Sequence, residues 1–298
     1  MFTFFDRPLR KAAGVMAVLA VTATIALTTT ARTGPAEGTV GAPLLQQAAG
    51  ETGGLSPLFA RDRDGRLWDF EPTGTGGFAA RVDLGGGYAE ATAMAQARIS
   101  RNGTGTDLYA VLDDRLYYTA ERGTDTRVVG SGWGAYDLIV SVGNMAGTTH
   151  PDLLGRGKDG QLWLHQGKAD GTFLPRIRVG TGWHGMDELT GRGDFTGDGK
   201  ADLVARSTTG VLSIYPGTGS ATADAVVGAR ITVPGSGWKD YSALVSVGDN
   251  TGDGKPDLLG VNRAGALQLF KGTGEPTAPF VAYARLAASG WTSYNLLF

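Results

Sequence analysis

From Leu58 onward the apolar positions fall into short compact runs, Leu58–Arg61, Leu108–Val111, Leu153–Arg156, Leu203–Arg206 and Leu258–Val261. Each is followed by a turn, at Asp64-Gly65, Asp114, Asp159-Gly160, Thr209-Gly210 or Ala264-Gly265. Alternating apolar and polar residues come next, as in Gln161-Leu162-Trp163-Leu164-His165 and Val211-Leu212-Ser213-Ile214-Tyr215. A compact run, a turn and a period of two predict a β-hairpin. A further strand, such as Arg176–Val179 or Arg230–Val233, precedes a Gly-Trp pair, and another, such as Tyr136–Val142 or Tyr241–Val247, follows it. Each unit therefore holds four strands.

The units recur. Gly-Trp pairs end at Trp133, Trp183, Trp238 and Trp291, spaced 50, 55 and 53 apart, and Tyr88, preceded by Gly87, stands 45 before the first. A period near 50 signals a stacked or radial architecture. Four strands per unit, repeated radially, make the blade of a β-propeller, which limits exposed edges by closing into a ring. Five units predict an all-β, five-bladed propeller over residues 56–298. The module starts at Leu58 in a second strand and ends at Tyr294–Phe298 in a first strand, so the C-terminal strand is expected to close the last blade by pairing with the N-terminal strands. An open solenoid of the same repeats would need polar capping units, and none is visible.

Glycine and proline together make up about a fifth of the chain, high for a globular protein but consistent with a turn-rich β fold. The net charge is −2, with Lys and Arg scattered, so the basic footprint of a nucleic-acid binder is missing. No cysteine is present, which removes disulfides, thiolate nucleophiles, iron–sulfur clusters and zinc ribbons. Arg7, Arg10 and Lys11 precede an apolar run from Ala12 to Leu27 and a small-residue stretch ending at Ala31, the layout of a secretory signal peptide over residues 1–31. Its apolar run gives about 24 Å of helix, short of the ~30 Å hydrocarbon core. Secretion is the expectation, with membrane attachment only if the segment stays uncleaved. Residues 32–55, rich in Gly, Ala, Pro, Thr and Gln, read as a flexible linker.

Eleven residues after four of the repeat aromatics a loop begins, at Ile99, Asn144, Asp194 and Asp249. Two of these loops are acidic. Asp194, Asp198 and Asp202, and in the same register Asp249, Asp253 and Asp257, occupy positions 1, 5 and 9; Thr196 and Thr251 supply a hydroxyl at position 3, and Lys200 and Lys255 a backbone carbonyl at position 7. Hard oxygen donors at alternating positions, with glycine at position 6 for the turn, suit Ca²⁺, giving two expected sites. The alternative is an Asp/Gly turn that caps itself through Asx hydrogen bonds. The loops Asn144–Asp152 and Ile99–Asp107 keep one carboxylate each and are not expected to hold a metal tightly.

The inner strand, acidic loop and apolar strand, as in Leu244–Asp249 through Asp257–Gly260, resemble the FG-GAP/VCBS-repeat propellers, related to the propeller of integrin α-subunits. The resemblance implies that the two acidic loops are Ca²⁺ sites joining the first and second strands of a blade. It differs from integrins in having five units rather than seven and threonine where Asp or Asn is frequent at position 3.

Catalytic constellations are mostly absent. No G-x-S-x-G elbow occurs, and Ser131 and Ser236 read as turn residues of the repeat. His150, His165 and His184 lack metal-ligand spacing and read as surface or turn histidines. The enzyme alternative is a glycosidase of five-bladed propeller type, using carboxylates at the starts of inner strands, Glu90, Asp137, Asp187 and Glu188, because glycoside hydrolysis needs two facing carboxyl groups. Asp137 and Asp187 share a repeat position, which favours a structural role. The tryptophans have two readings, as sugar-stacking faces or as wedges between blades. The expectation is a non-catalytic, secreted module whose partner is an extracellular protein or glycan, with no nucleic acid.

Overall fold

The computed structural model describes residues 55–99, 106–120 and 125–298. The expected signal segment and the linker up to residue 54 lie outside the described residues. Blade I contains β1 (Leu58–Asp62), β2 (Leu67–Phe70) and β3 (Val82–Gly85). Blade II runs through β4 (Ala93–Ala97), β5 (Asp107–Leu112), β6 (Arg115–Ala120) and β7 (Asp125–Ser131). Blade III holds β8 (Tyr136–Gly143), β9 (Asp152–Gly157), β10 (Leu162–His165) and β11 (Ile177–Gly180). Blade IV follows with β12 (Met186–Thr190), β13 (Leu203–Ser207), β14 (Leu212–Tyr215) and β15 (Ile231–Thr232). Blade V comprises β16 (Tyr241–Gly248), β17 (Asp257–Asn262), β18 (Leu267–Gly272) and β19 (Phe280–Ala287), and the final strand is β20 (Tyr294–Leu297).

All five sheets are four-stranded meanders, and the first has the order β20-β1-β2-β3. The termini thus share one blade, as the sequence predicts. Ala60 faces Leu297 and Arg61 faces Leu296 across the antiparallel pair. Two further bonds extend it, Phe59 N–H to the Phe298 carbonyl at 2.9 Å and the reverse at 3.0 Å. The hairpin between β5 and β6 turns through Asp113 and Asp114 at φ 46° and 67°, the two positive values that a two-residue type I′ turn needs.

Five apolar clusters fill the five interfaces between neighbouring blades, which is how the ring closes. Trp133, Trp183, Trp238 and Trp291 are only 6–8 % exposed and Tyr88 is fully buried, so the wedge reading of these aromatics holds. Each tryptophan starts a short 3-10 turn after a glycine with φ between 80° and 102°. The turn is fastened on both sides. Trp133 N–H donates to the Asp114 carbonyl of the preceding blade at 3.1 Å, and Lys158 N–H of the following blade donates to the Ala135 carbonyl at 3.0 Å. The same pair of bonds recurs at Trp183 through Gly160 and at Gly185 through Thr208, both at 2.9 Å.

His165 departs from expectation. Rather than lying at the surface, it is 8 % exposed inside an aromatic cluster, 4.6 Å from the Trp133 ring centroid, with its Nε2 3.0 Å from the Tyr136 hydroxyl. It lies on the face of β10 opposite Leu162 and Leu164, the face that Trp133 and Tyr136 cover. Burial, and secondarily the charge of Arg176, lowers its pKa from 6.5 to about 4.

Two outcomes follow from these contacts. Deleting Tyr294–Phe298 removes the inner strand of blade I, and stability should drop by at least about 3 kcal/mol with loss of monomer, read by chemical denaturation and size exclusion. For His165 the unfolded chain takes up a proton before the native state does, so its contribution is full above pH 6.5 and declines as pH falls toward 4, by roughly 3 kcal/mol at most. His165→Gln should flatten the acid side of the melting-temperature profile; an unchanged profile would contradict the assignment.

Candidate functional site

The loop from 194 to 202 joins β12 to β13, and the loop from 249 to 257 joins β16 to β17. In the first, Asp194 Oδ1 accepts the N–H groups of Thr196 (3.1 Å), Gly197 (2.6 Å) and Asp198 (3.1 Å), while Oδ2 accepts that of Gly199 (2.6 Å). The backbone wraps around this carboxylate. Gly197, at φ 79°, lets the loop press on the next blade, where an added Cβ would stand 2.5 Å from the Gly274 carbonyl oxygen. Asp194, Asp198 and Asp202 each offer an oxygen, all within 4.8 Å of one another. Three carboxylates in that space fit a hard cation with six to eight oxygen ligands. Among the described residues this is the one acidic group gathered so closely.

Asp202, at position 9, has a second duty. It is fully buried, and its Oδ2 accepts the N–H groups of Phe195 and Thr196 at 2.9 Å while Oδ1 accepts that of Gly217 at 3.0 Å. Burial lifts its pKa to about 7, against the pull of those hydrogen bonds. The other loops repeat the arrangement. Asp152 Oδ2 takes Met145 and Ala146 N–H at 2.9 and 3.0 Å, Asp257 takes Thr251 and Gly272 N–H at 2.8 and 2.9 Å, and Asp107 takes Ile99 N–H at 2.8 Å. The position-9 aspartate is therefore a buried cap for its loop, which explains why all four loops retain it, whether or not they carry the other acids. Residues 100–105 of the Ile99–Asp107 loop lie outside the described residues.

The second acidic loop differs from the first in the partner of its position-5 acid. Asp249 is caged like Asp194, by Gly252, Asp253 and Gly254 N–H at 2.7, 3.0 and 2.7 Å. Asp253, however, is drawn to Lys271 Nζ at 3.1 Å, from the third strand of its own blade. In the first loop Asp198 pairs at 3.2 Å with Lys200 Nζ, the neighbouring loop residue. Thr196 and Thr251 direct their hydroxyls at the position-1 carboxylates, at 3.4 and 3.5 Å. In the Asn144 loop the amide replaces the acid pair: Asn144 Oδ1 accepts Thr148 N–H at 3.1 Å and its Nδ2 donates to the Thr148 carbonyl.

The acids at the inner-strand starts are engaged elsewhere. Asp137 Oδ1 accepts Arg156 Nε at 2.8 Å, and Asp187 Oδ1 accepts Arg206 Nε at 2.7 Å. Each arginine then crosses to the following blade, Arg156 to the Met186 carbonyl at 2.6 Å and Arg206 to the carbonyls of Tyr241 and Trp238 at 2.7 and 3.0 Å. Arg61 makes the same link with Asn295 (2.9 Å) and the Ala91 carbonyl (2.6 Å). Where the arginine gives way to Val111 or Val261, the acid gives way to Thr92 or Ser242, whose hydroxyl donates to that valine's carbonyl. This co-occurrence inside the repeat is the signal that sequence reading passed over. Glu90 is exposed.

Inner strands β4, β8, β12, β16 and β20 surround a narrow channel whose lining includes Gln96, Ser141, Glu188, Thr190, Arg192 and Ser246. Glu188 is its one carboxylate among the described lining residues; burial raises its pKa to about 8, and Arg206, 3.7 Å away, opposes this. Arg192 donates to Ser56 Oγ at 2.5 Å and to the Gln96 carbonyl at 2.8 Å, bracing the segment before β1 against β4.

Comparison with known proteins agrees with the loops and the blades. The profile of the FG-GAP-like repeat family matches residues 194–260, the span holding both acidic loops. The chain is a five-bladed β-propeller whose residues 194–260 are an FG-GAP-like repeat. No curated protein matches it. Among solved structures, a lectin from Burkholderia pseudomallei is 15 % identical over 81 % of this chain and 72 % of its own, with a TM-score of 0.46. A mutant of AofleA from Arthrobotrys oligospora is 9 % identical over 81 % and 75 %, at 0.45, and a chain of a nidogen/laminin complex is 12 % identical over 82 % and 97 %, at 0.43.

If the propeller's arginines are clamps between blades, Arg206→Leu should lower stability by about 2 kcal/mol in urea denaturation, since it leaves Asp187 and two carbonyls unpaired. Asp187→Asn, which preserves the hydrogen bond as Asn295 does in blade I, should cost less than half of that.

Proposed function

We propose that this chain is a secreted, calcium-stabilised propeller that works as a non-catalytic binding module for extracellular glycans or proteins. The observation that carries the non-catalytic reading is the engagement of Asp137 and Asp187 by Arg156 and Arg206, which takes the two best-placed acids out of general acid–base work. Glu188, the carboxyl with the raised pKa, has no second carboxylate beside it among the channel-lining residues described. The basic, apolar and small-residue order of residues 1–31 supports export.

Calcium is supported by the chemistry of the donor set. Asp194, Asp198 and Asp202 would hold the ion with the Thr196 hydroxyl and the Lys200 carbonyl; Asp249, Thr251, Asp253, Lys255 and Asp257 form the corresponding second set. A bound cation would offset the mutual repulsion of the carboxylates and fix a loop that leans on the next blade. The acids of the second loop are less closely gathered than those of the first, and Lys271 draws Asp253 toward its strand, so the second loop takes calcium more weakly.

A native-state ligand at a hundredfold above its Kd stabilises by about 2.7 kcal/mol per site. Calcium should therefore raise the melting temperature of the chelated protein, and Asp198→Ala should remove most of the gain. Lys271→Met should strengthen calcium binding at the second loop, measured by calorimetric titration. A melting curve indifferent to EDTA and calcium would refute the metal reading, and turnover of aryl glycosides would refute the non-catalytic one.

A further inference from the structure

Two blades carry a side-chain cluster that ring closure does not require. In blade I the guanidinium of Arg81 lies 4.0 Å over the Trp68 ring, and its Nη1 donates to the Tyr294 hydroxyl at 2.6 Å. In blade III Arg176 lies 4.0 Å over Trp163, and its Nη1 donates to the Tyr136 hydroxyl at 3.1 Å. The registers are the same: the tryptophan is second in the third strand, the arginine immediately precedes the fourth strand, and the tyrosine opens the inner strand. Blade IV has Arg230 at the arginine position but Ser213 and Met186 at the other two, so that arginine has no aromatic platform. In blade V the tyrosine hydroxyl of Tyr241 bonds Gln268 instead, at 2.6 Å.

We propose that these two clusters, Trp68–Arg81–Tyr294 and Trp163–Arg176–Tyr136, are saccharide sites that select sugars bearing a carboxylate, as uronic acids do; this rests on the glycan-binding reading above. Both arginines are exposed, and neither forms an ion pair among the described residues. The acids that feel their charge are held by other groups. Asp83 is bound by Arg66 at 2.5 Å and by Gly85 N–H at 2.7 Å, and Asp159 by Gln161. A guanidinium laid on an indole face and tied by one N–H keeps its remaining donors in a fixed plane, the arrangement that meets a carboxylate with two parallel hydrogen bonds. A flat cation on a half-exposed indole matches a single pyranose ring, with the ring's carboxylate on the guanidinium and its C–H face on the open edge of the indole. The net charge of −2 provides no general attraction for a polyanion, so selection falls to these local groups. Two sites on one rigid ring bind a longer chain with avidity.

The test titrates the full chain with an oligogalacturonate and with the same oligosaccharide after reduction of its carboxyl groups. The acidic form should bind, and the reduced form should bind at least about tenfold more weakly. Arg81→Gln with Arg176→Gln should abolish the preference at an unchanged melting temperature, and either single change should lose the avidity. Arg230→Gln should have no effect. Equal binding of the reduced sugar, equal competition by polyglutamate, or a double variant that binds like the parent overturns the proposal. Binding of neutral glycans that survives the double change overturns it while leaving the glycan-binding reading intact. Failure to bind any glycan overturns both.

Discussion

The Gly-Trp corner is the joint on which this ring depends. A four-stranded blade has two faces to bury and, standing alone, leaves its edges open. The glycine before each tryptophan takes a left-handed conformation, φ 80° at Gly132 and 102° at Gly290, that lets the chain swing from the outer strand of one blade into the inner strand of the next. The tryptophan then fills the wedge between them. At Trp133 and Trp183 the backbone N–H is held by the turn of the blade behind and the carbonyl two residues on by the turn of the blade ahead, and the Trp291 N–H and the Asp240 carbonyl are held in the same way. Rotation of one blade against its neighbour thus breaks hydrogen bonds as well as apolar contact. Tyr88 does the same work for the first unit, with its N–H 3.0 Å from the Gly65 carbonyl, and it buries fully although it is smaller than an indole.

That joint is also why the fold was legible before any coordinate. A large aromatic after glycine, at a period near 50, reflects a constraint that recurs at every interface, so the repeat could be read from spacing alone. The sharing of blade I by the two termini followed from where the repeat was cut. Side-chain partnerships were not legible in the same way, because they join positions tens of residues apart. Asp137 and Asp187 looked like candidate acids until Arg156 and Arg206 were found on them. His165 stands at an alternating position whose facing was ambiguous until the neighbouring corner placed Trp133 and Tyr136 around it. Asp202 and Asp257 read in the sequence as ligands; that position 9 caps its loop is visible only in the N–H groups it accepts, in the Asn144 loop as well as in the acidic ones.

The acidic loops show how one backbone shape can be stabilised by different chemistry. In the Asn144 loop a neutral amide bonds both the N–H and the carbonyl of Thr148, so position 1 there carries no charge. The loops at Asp194 and Asp249 reach the same wrapped form around a carboxylate, which satisfies more backbone donors but brings further acids close by. Lysines partly neutralise that excess, Lys200 within the first loop and Lys271 from a neighbouring strand in the second. The difference is one of reach. Lys200 meets its partner from within the loop, whereas Lys271 meets Asp253 from a strand that the blade holds in place.

What distinguishes one blade from another then carries information that the shared features cannot. A residue type present at all five corners is accounted for by closing the ring, and the arginine links between blades belong to the same account, since their absence in two blades is matched by a hydroxyl-to-carbonyl bond. The Trp–Arg–Tyr clusters of blades I and III have no such replacement in blade IV. Blade IV closes with Ser213 and Met186 in the same registers, so the ring does not need the aromatic platform, and an exposed arginine gains little stability from being stacked. Holding a long, rotamer-rich cation in one orientation at the surface costs entropy that the fold has no use for. The arrangement is explained when something outside the chain uses the orientation, and the guanidinium's open donors define the chemistry of that partner.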